Sequence, residues 1–186
     1  NDFDAFSETK IGTSTDAGYY ARGFTFTDNP NIASMYANRS SKGTKTRGSV
    51  IPAYLSLKNP LVLEARPNPE NSMYRIVPVP KEAFDVAKRL FDEEGSLEAI
   101  MPGFNQNQFT GDKIKFWRER IERKPEMLMA IGSPYRSEAI REVAIRNGYD
   151  SIIVKGRPGF TSKAKGGYLE KDALEIIVFE PTQIKS

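Results

Sequence analysis

The sequence predicts an α+β fold, and three observations carry that expectation. Strand-like apolar segments lie towards both chain ends, alternating at 49–64 and β-branched at 149–154 and 174–179, and a 3.6-residue period fills the middle. No regular strand-helix-strand alternation runs along the chain, as a parallel α/β sheet would need. The 186 residues suffice for one sizeable core. One unit over 1–186 is therefore expected, with a helical insertion at about 80–148.

The elements follow in order. Residues 1–48 are rich in Gly, Ser, Thr and Asn, the composition of loops around short strands. One helix is signalled there. Asp28-Asn29 supplies the cap, Pro30 the first helical position, and Ile32, Ala33, Tyr36 and Ala37 one face. Gly23 to Phe26 reads as a strand end running into that helix. In SVIPAYLSLKNPLVLE (49–64), Ile51, Ala53, Leu55 and Leu57 alternate before Asn59-Pro60, which predicts two strands.

The period then changes. Phe84, Ala87 and Leu90/Phe91 predict a helix ending at Gly95; Ile114, Trp117 and Ile121 follow Asp112 on a second; Ile140, Val143 and Ala144 mark a third that ends at Gly148. PGFNQNQFTG between them reads as a polar loop. Tyr149 to Val154 and Leu174 to Phe179 are short, β-branched strands. GRPGFTSKAKGGY separates them, a flexible loop by its four glycines, with a spacing that matches no Walker or dinucleotide fingerprint.

Composition narrows the chemistry. With Cys 0 there is no thiol nucleophile, disulfide or thiolate metal site, and with His 0 no Ser-His relay and no imidazole ligand. What remains is chemistry run by carboxylates, hydroxyls, aromatic faces, Lys and Arg. Asp150 and Glu180 are isolated acids without metal spacing, so no metal is expected. The net charge of +3 does not by itself indicate a nucleic-acid or membrane binder. Lys113, Lys115, Arg118, Arg120, Arg123 and Lys124 around Trp117 have the residue types of a phosphate-binding face. Interleaved Glu119 and Glu122 favour a solvated amphipathic helix instead. No run approaches the roughly 20 apolar residues of a membrane span, and Asn1 opens without a signal-peptide pattern. Cytoplasmic action is expected, delivery into a host or target cell remaining open. The lack of an initiating Met suggests a monomeric domain excised from a longer chain.

Two constellations bear on function. Gly23-Phe24-Thr25-Phe26-Thr27-Asp28-Asn29 leads into a capped helix bearing Tyr36, and Leu174-Glu175-Ile176-Ile177-Val178-Phe179 sets one carboxylate into an apolar strand. A lone Glu at a strand start is ordinarily a solvated edge residue. Together, however, GFTFTDNPNIASMY and LEIIVFEPTQI resemble the nucleotide-cleaving site of the ADP-ribosyltransferases of the diphtheria-toxin and poly(ADP-ribose) polymerase, or His-Tyr-Glu, group. VIPAYLSLKNPL, GYDSIIV and FEPTQIKS are further similar to the ADP-ribosyltransferase domains of phage-encoded polyvalent proteins. The resemblance covers 1–64 and 148–186, and not the helical middle.

That resemblance implies a split β-sandwich, NAD+ as substrate, and ADP-ribose transfer to a macromolecular acceptor, a protein or else a nucleic acid. It implies Glu175 as catalytic carboxylate, with Gly23, Phe24, Thr25, Phe26, Asn29 and Tyr36 around the nucleotide. Cleaving the nicotinamide-ribose bond passes through an oxocarbenium-like state, which a carboxylate stabilises. Aromatic faces hold a flat cationic ring, and Tyr36 is the candidate wall. Thr25 stands where the family usually has its other stacking Tyr, leaving that wall to Phe26 or another aromatic. The family's ribose-binding His has no counterpart. Asn1-Asp2-Phe3-Asp4-Ala5-Phe6 is similar to the segment just after it, so that His lies upstream or this copy is degenerate. Ala173, two residues before Glu175, departs from the Glu-x-Glu of the Arg-modifying branch. The alternatives are an NAD+ glycohydrolase with water as acceptor and a catalytically inactive NAD-fold module that binds protein or nucleic acid.

Overall fold

A computed structural model describes residues 6–8, 11, 18, 20–38, 49–67, 75–93, 113–130, 132–156 and 173–185. In chain order its elements are β1 (Phe24–Thr27), α1 (Pro30–Asn38), β2 (Tyr54–Leu55), β3 (Pro60–Glu64), β4 (Arg66–Pro67), β5 (Arg75–Ile76), α2 (Ala83–Asp92), α3 (Lys113–Arg123), α4 (Pro134–Arg146), β6 (Ser151–Lys155), β7 (Glu175–Val178) and β8 (Ile184–Lys185). Short 3-10 turns occupy Pro125–Met129 and Pro181–Gln183. The polar loop over 102–111, the glycine-rich segment after Gly156 and the first five residues lie outside the described residues.

The central sheet is mixed, in the order β1-β7-β6-β3, antiparallel except for the parallel β3–β6 pair. Separate two-stranded ribbons join β2 to β8 and β4 to β5. The observed architecture is α+β with a mixed sheet. Pro60 begins β3, which is an edge strand of this sheet and tolerates a residue without an N–H.

Alternation within the strands puts Leu63, Ile152, Val154 and Ile177 on one sheet face. They share a single buried cluster with Val86 and Leu90 of α2 and Ile140 and Val143 of α4. Each such side chain removed from water contributes roughly 1.5–3 kcal/mol. The helical middle therefore supplies part of the core that holds the sheet. Arg89 on α2 reaches both carboxylate oxygens of Glu142 on α4 at 2.8 Å, bridging the two helices at the surface.

Two boundaries differ from the sequence pattern. On α2 the buried stripe is Ala83, Val86, Ala87 and Leu90, and Phe84, expected on the inner face, is 50% exposed. A stripe at i, i+3, i+4 and i+7 places Phe84 about 100° from its centre. The strand expected from Ile51 to Leu57 shortens to Tyr54–Leu55, because β8 offers only two residues to pair with. Ile51 stays exposed there.

Turn chemistry sets the rest. Gly148, at φ 80°, closes α4: its N–H bonds to the Ile145 carbonyl, and that of Tyr149 to Ala144. Asp150 then accepts N–H bonds from Lys58 at 2.7 Å and Asn59 at 3.2 Å, and the Ser151 hydroxyl donates to it at 2.8 Å. Partial burial pushes the Asp150 carboxyl up, but these bonds outweigh it and hold the group below its ordinary value. The clamp sits where Pro60 and Ser151 open the parallel pair, and so sets its register. Among the described residues no helix is long and apolar enough to cross a membrane.

Candidate active site

Glu175 opens β7, an interior strand of the sheet, and is 7% exposed. An edge carboxylate would face water; this one is enclosed on both sides by strands. It stands in register with Thr27 of β1 and Val154 of β6. Residues opposite one another in a ladder project to the same face, and alternate residues to opposite faces. Thr25 and Thr27 thus share the Glu175 face, with the apolar Ile177 two residues further along. The carboxylate lies where the core face of the sheet gives way to hydroxyl-bearing side chains.

Phe24 and Phe26 project to the other face. There the Phe6 ring packs against both, with centroids 5.5 and 5.6 Å away. Gly23 precedes them because nothing larger fits: a Cβ would lie 2.6 Å from both the Ile177 Cγ2 atom and the Val178 carbonyl oxygen. Past the strand, the Asn29 side chain accepts the Asn31 and Ile32 N–H groups at 2.9 and 3.2 Å, the N-cap of α1 with Pro30 as its first residue. The Asn29 N–H in turn bonds to the Thr27 hydroxyl oxygen at 3.2 Å. The adjacent Asp28 carboxylate accepts the Leu174 N–H at 2.8 Å, fastening the residue before Glu175 to the β1–α1 turn. Tyr36 lies on α1 with its side chain 47% exposed.

At the opposite end of β1 a buried polar network holds the strand from behind. The Arg22 Nε donates to the Glu138 carboxylate of α4 at 2.7 Å, and its backbone N–H to the Ser137 carbonyl at 3.2 Å. Arg141 approaches Glu138 at 3.7 Å and Glu180 at 3.5 Å, with its guanidinium over the Phe179 ring at 5.6 Å. Burial pushes the Glu138 carboxyl above its ordinary range, against the pull of Arg22 and Arg141. Burial likewise lowers Arg136, whose guanidinium stands 6.0 Å from the Tyr20 ring.

The model of the family described as ADP-ribosyltransferase in polyvalent proteins matches residues 1–186. The chain belongs to that family. No curated protein and no solved structure is matched.

In this ADP-ribosyltransferase the two stretches that resembled a nucleotide-cleaving site, far apart in sequence, are neighbours in the sheet. Thr27 and Glu175 are paired, Thr25 pairs with Ile177, and Asp28 bonds to Leu174. Gly23 and Asn29 bracket the strand as its close-packing and capping residues. Phe24 and Phe26 lie across the sheet from Glu175. Sequence reasoning missed Arg22, Glu138 and Arg141. Nothing in the pattern joins Arg22 to a Glu 116 positions away, although a helix opening Pro-Tyr-Arg-Ser-Glu with its first turns buried is itself unusual. A cleft of about 430 Å³ bordered by Lys58, Tyr149, Asp150, Phe179 and Gln183 lies at the far end of β7 from Glu175. Among the described residues no group of three acids has the arrangement to hold a metal ion.

Proposed function

We propose that the chain is a mono-ADP-ribosyltransferase that takes NAD+ as substrate and transfers its ADP-ribose to a macromolecular acceptor, with Glu175 as the catalytic carboxylate. One observation supports the reading above the others. A carboxylate is held on the interior strand β7, beside Thr27, against the unit formed by β1, the capped turn and α1. A buried acid costs more to desolvate at this place than an apolar side chain would, a cost for which a catalytic role accounts.

The residues suit the donor. In the reaction the bond between ribose C1′ and the nicotinamide nitrogen breaks, and nicotinamide leaves with the bonding pair. The acceptor's nucleophilic atom then bonds to C1′ and gives up its proton. Glu175 stabilises the positive charge that develops on the ribose before the new bond forms. Thr27, in register with it, offers a hydroxyl on the same face, and Tyr36 supplies an aromatic wall for the nicotinamide ring. In this reading the mixed sheet and the β2–β8 ribbon belong to a split β-sandwich, residues 1–186 act as one monomeric unit, and the acceptor is a protein met in the cytoplasm.

Glu175→Gln tests it. With NAD+ labelled in the adenylate phosphate, nicotinamide release and acceptor labelling should both fall by about a hundredfold or more, the usual loss for one transition-state electrostatic contact. The circular dichroism spectrum should not change. Turnover within a few-fold of the parent refutes the assignment of Glu175. Label recovered as free ADP-ribose, with none on protein, replaces transfer by hydrolysis.

A further inference from the structure

Charge is matched within some helices and left over on another. On α2 and α4 the exposed cations meet carboxylates: Lys88 meets Asp92 at 2.9 Å, Arg89 meets Glu142 at 2.8 Å, and Arg146 meets Glu142. On α3 and the turn after it, Arg120, Arg123 and Lys124 enter no ion pair among the described residues, although Glu119, Glu122 and Glu126 share the segment. A solvated helix held by its own i, i+4 pairs would show them. Residues 113–126 hold six of the chain's 27 cations and three of its 24 carboxylates, leaving 21 of each elsewhere, so the whole formal charge of +3 resides there.

The same helix exposes an aromatic ring. Its inner side is occupied by Ile121, buried with Leu128, and by Arg118, which donates to the Phe91 carbonyl at 3.1 Å and lies over the Phe91 ring at 5.3 Å. Phe116 points away from that side and is 54% exposed. It meets the Trp117 ring edge-on at 5.9 Å, and the Arg120 guanidinium stands 5.9 and 5.8 Å from the two ring centres.

We propose that α3 with the Lys124 turn is a docking surface for single-stranded nucleic acid: a base stacks on Phe116 beside Arg120, and Arg123 and Lys124 neutralise phosphates. The chemistry favours this occupant. An exposed ring flanked by a guanidinium is a platform for any base that is free to leave its stack, and unpaired cations one helical turn apart follow a phosphate chain. A duplex hides its base faces from such a ring. An acidic protein would use the cations and leave the phenyl face without a partner. The surface uses none of the residues of the catalytic reading and does not rest on it.

The test is anisotropy of a fluorescein-labelled oligo(dT) dodecamer titrated with the intact protein, paralleled by the emission of Trp117, its single tryptophan. Two neutralised phosphates should give a log-log salt slope of about −1.4, and Arg123→Ala/Lys124→Ala should bring it to about zero, at ~0.7 per phosphate on a single strand. Phe116→Ala should weaken binding at least about fivefold with little change of slope, since stacking carries no counterion release. Lys155→Ala/Lys185→Ala removes the same charge from strands β6 and β8 and should leave affinity near the parent's. The proposal is overturned if the parent does not bind, if the two double variants are equivalent, or if Phe116→Ala has no effect. It is equally overturned if polyglutamate binds with the sensitivity to Phe116→Ala assigned to the oligonucleotide. Circular dichroism confirms that each variant is folded. NAD+ turnover of Phe116→Ala, equal to the parent's, separates this surface from the catalytic site.

Discussion

Arg22→Met tests how strongly strand β1 depends on the helix behind it. The substitution keeps most of the side-chain volume but removes the guanidinium that donates to Glu138 at 2.7 Å in a buried setting. Removing one partner of a buried ion pair leaves the other charge uncompensated, at a cost of about 3–5 kcal/mol. Arg141 remains 3.7 Å from Glu138, which places the loss at the lower end, about 3 kcal/mol. With a urea m-value of about 2 kcal/mol/M, the midpoint falls by about 1.5 M. The sign of the pH dependence follows from Glu138. Its carboxyl titrates above the ordinary range because it is buried, and Arg22 opposes that shift. Without Arg22 the folded-state value rises further, so the folded state holds a proton that the unfolded chain has released. Stability therefore falls as pH rises from the ordinary carboxylate range towards the raised value. The variant should be closer to the parent at about pH 5 than at about pH 8. Arg22→Met/Glu138→Leu removes both charges and should recover most of the loss. Urea melts at the two pH values measure all of this. A loss below about 1 kcal/mol, or a double variant no better than the single one, refutes the buried-pair argument.

Three further outcomes follow. Glu175→Gln should abolish most NAD+ turnover while the urea midpoint holds, as argued above. Tyr36→Ala should raise KM for NAD+ about fivefold, the worth of one stacking face, with little loss of stability because the ring is half exposed; steady-state kinetics beside a thermal melt separate the two, and an unchanged KM removes Tyr36 from the pocket. Gly23→Ala sets a Cβ 2.6 Å from the Val178 carbonyl oxygen and should destabilise by about 1–3 kcal/mol; a midpoint equal to the parent's would show that β1 can shift away from β7.

What the sequence made legible was local. Pro30 after an Asn cap, the β-branched runs before Lys155 and after Glu175, and Gly148 past the third helix each carry their signal within a few residues, and each element formed there. The phase of α2 was harder to read. Phe84 is the largest apolar residue near its start, yet the small Ala83 and Ala87 let the helices approach and take the inner face. The carboxylate was legible as a candidate and its surroundings were not. Whether Glu175 lies on an edge or an interior strand depends on β1 crossing from the far end of the chain to cover β7. The Arg22–Glu138 pair was beyond a local reading for the same reason, since α4 buries charged residues that a polarity pattern assigns to solvent.

The Glu175 carboxylate and the core share one face of one sheet, and on the proposed reading this makes register the quantity on which function depends. A slip of one residue in β7 would exchange the faces of Glu175 and Ile176, carrying the carboxylate to the side where Phe6 packs on Phe24 and Phe26. The chain guards against that slip at both ends of the β1–β7 pair. At one end Gly23 lies so close to Val178 that no side chain fits between them, and Arg22 is tied to α4 by its backbone and its guanidinium. At the other, Asp28 holds the Leu174 N–H while Asn29 caps the helix that continues the strand. Four consecutive pairs lie between these anchors and four more join β7 to β6, but ladder hydrogen bonds re-form after a slip, so they do not by themselves select the register. The anchors, more than the strand pairing, keep Glu175 on the Thr27 side. Loss of either one should therefore impair the reaction before it unfolds the protein.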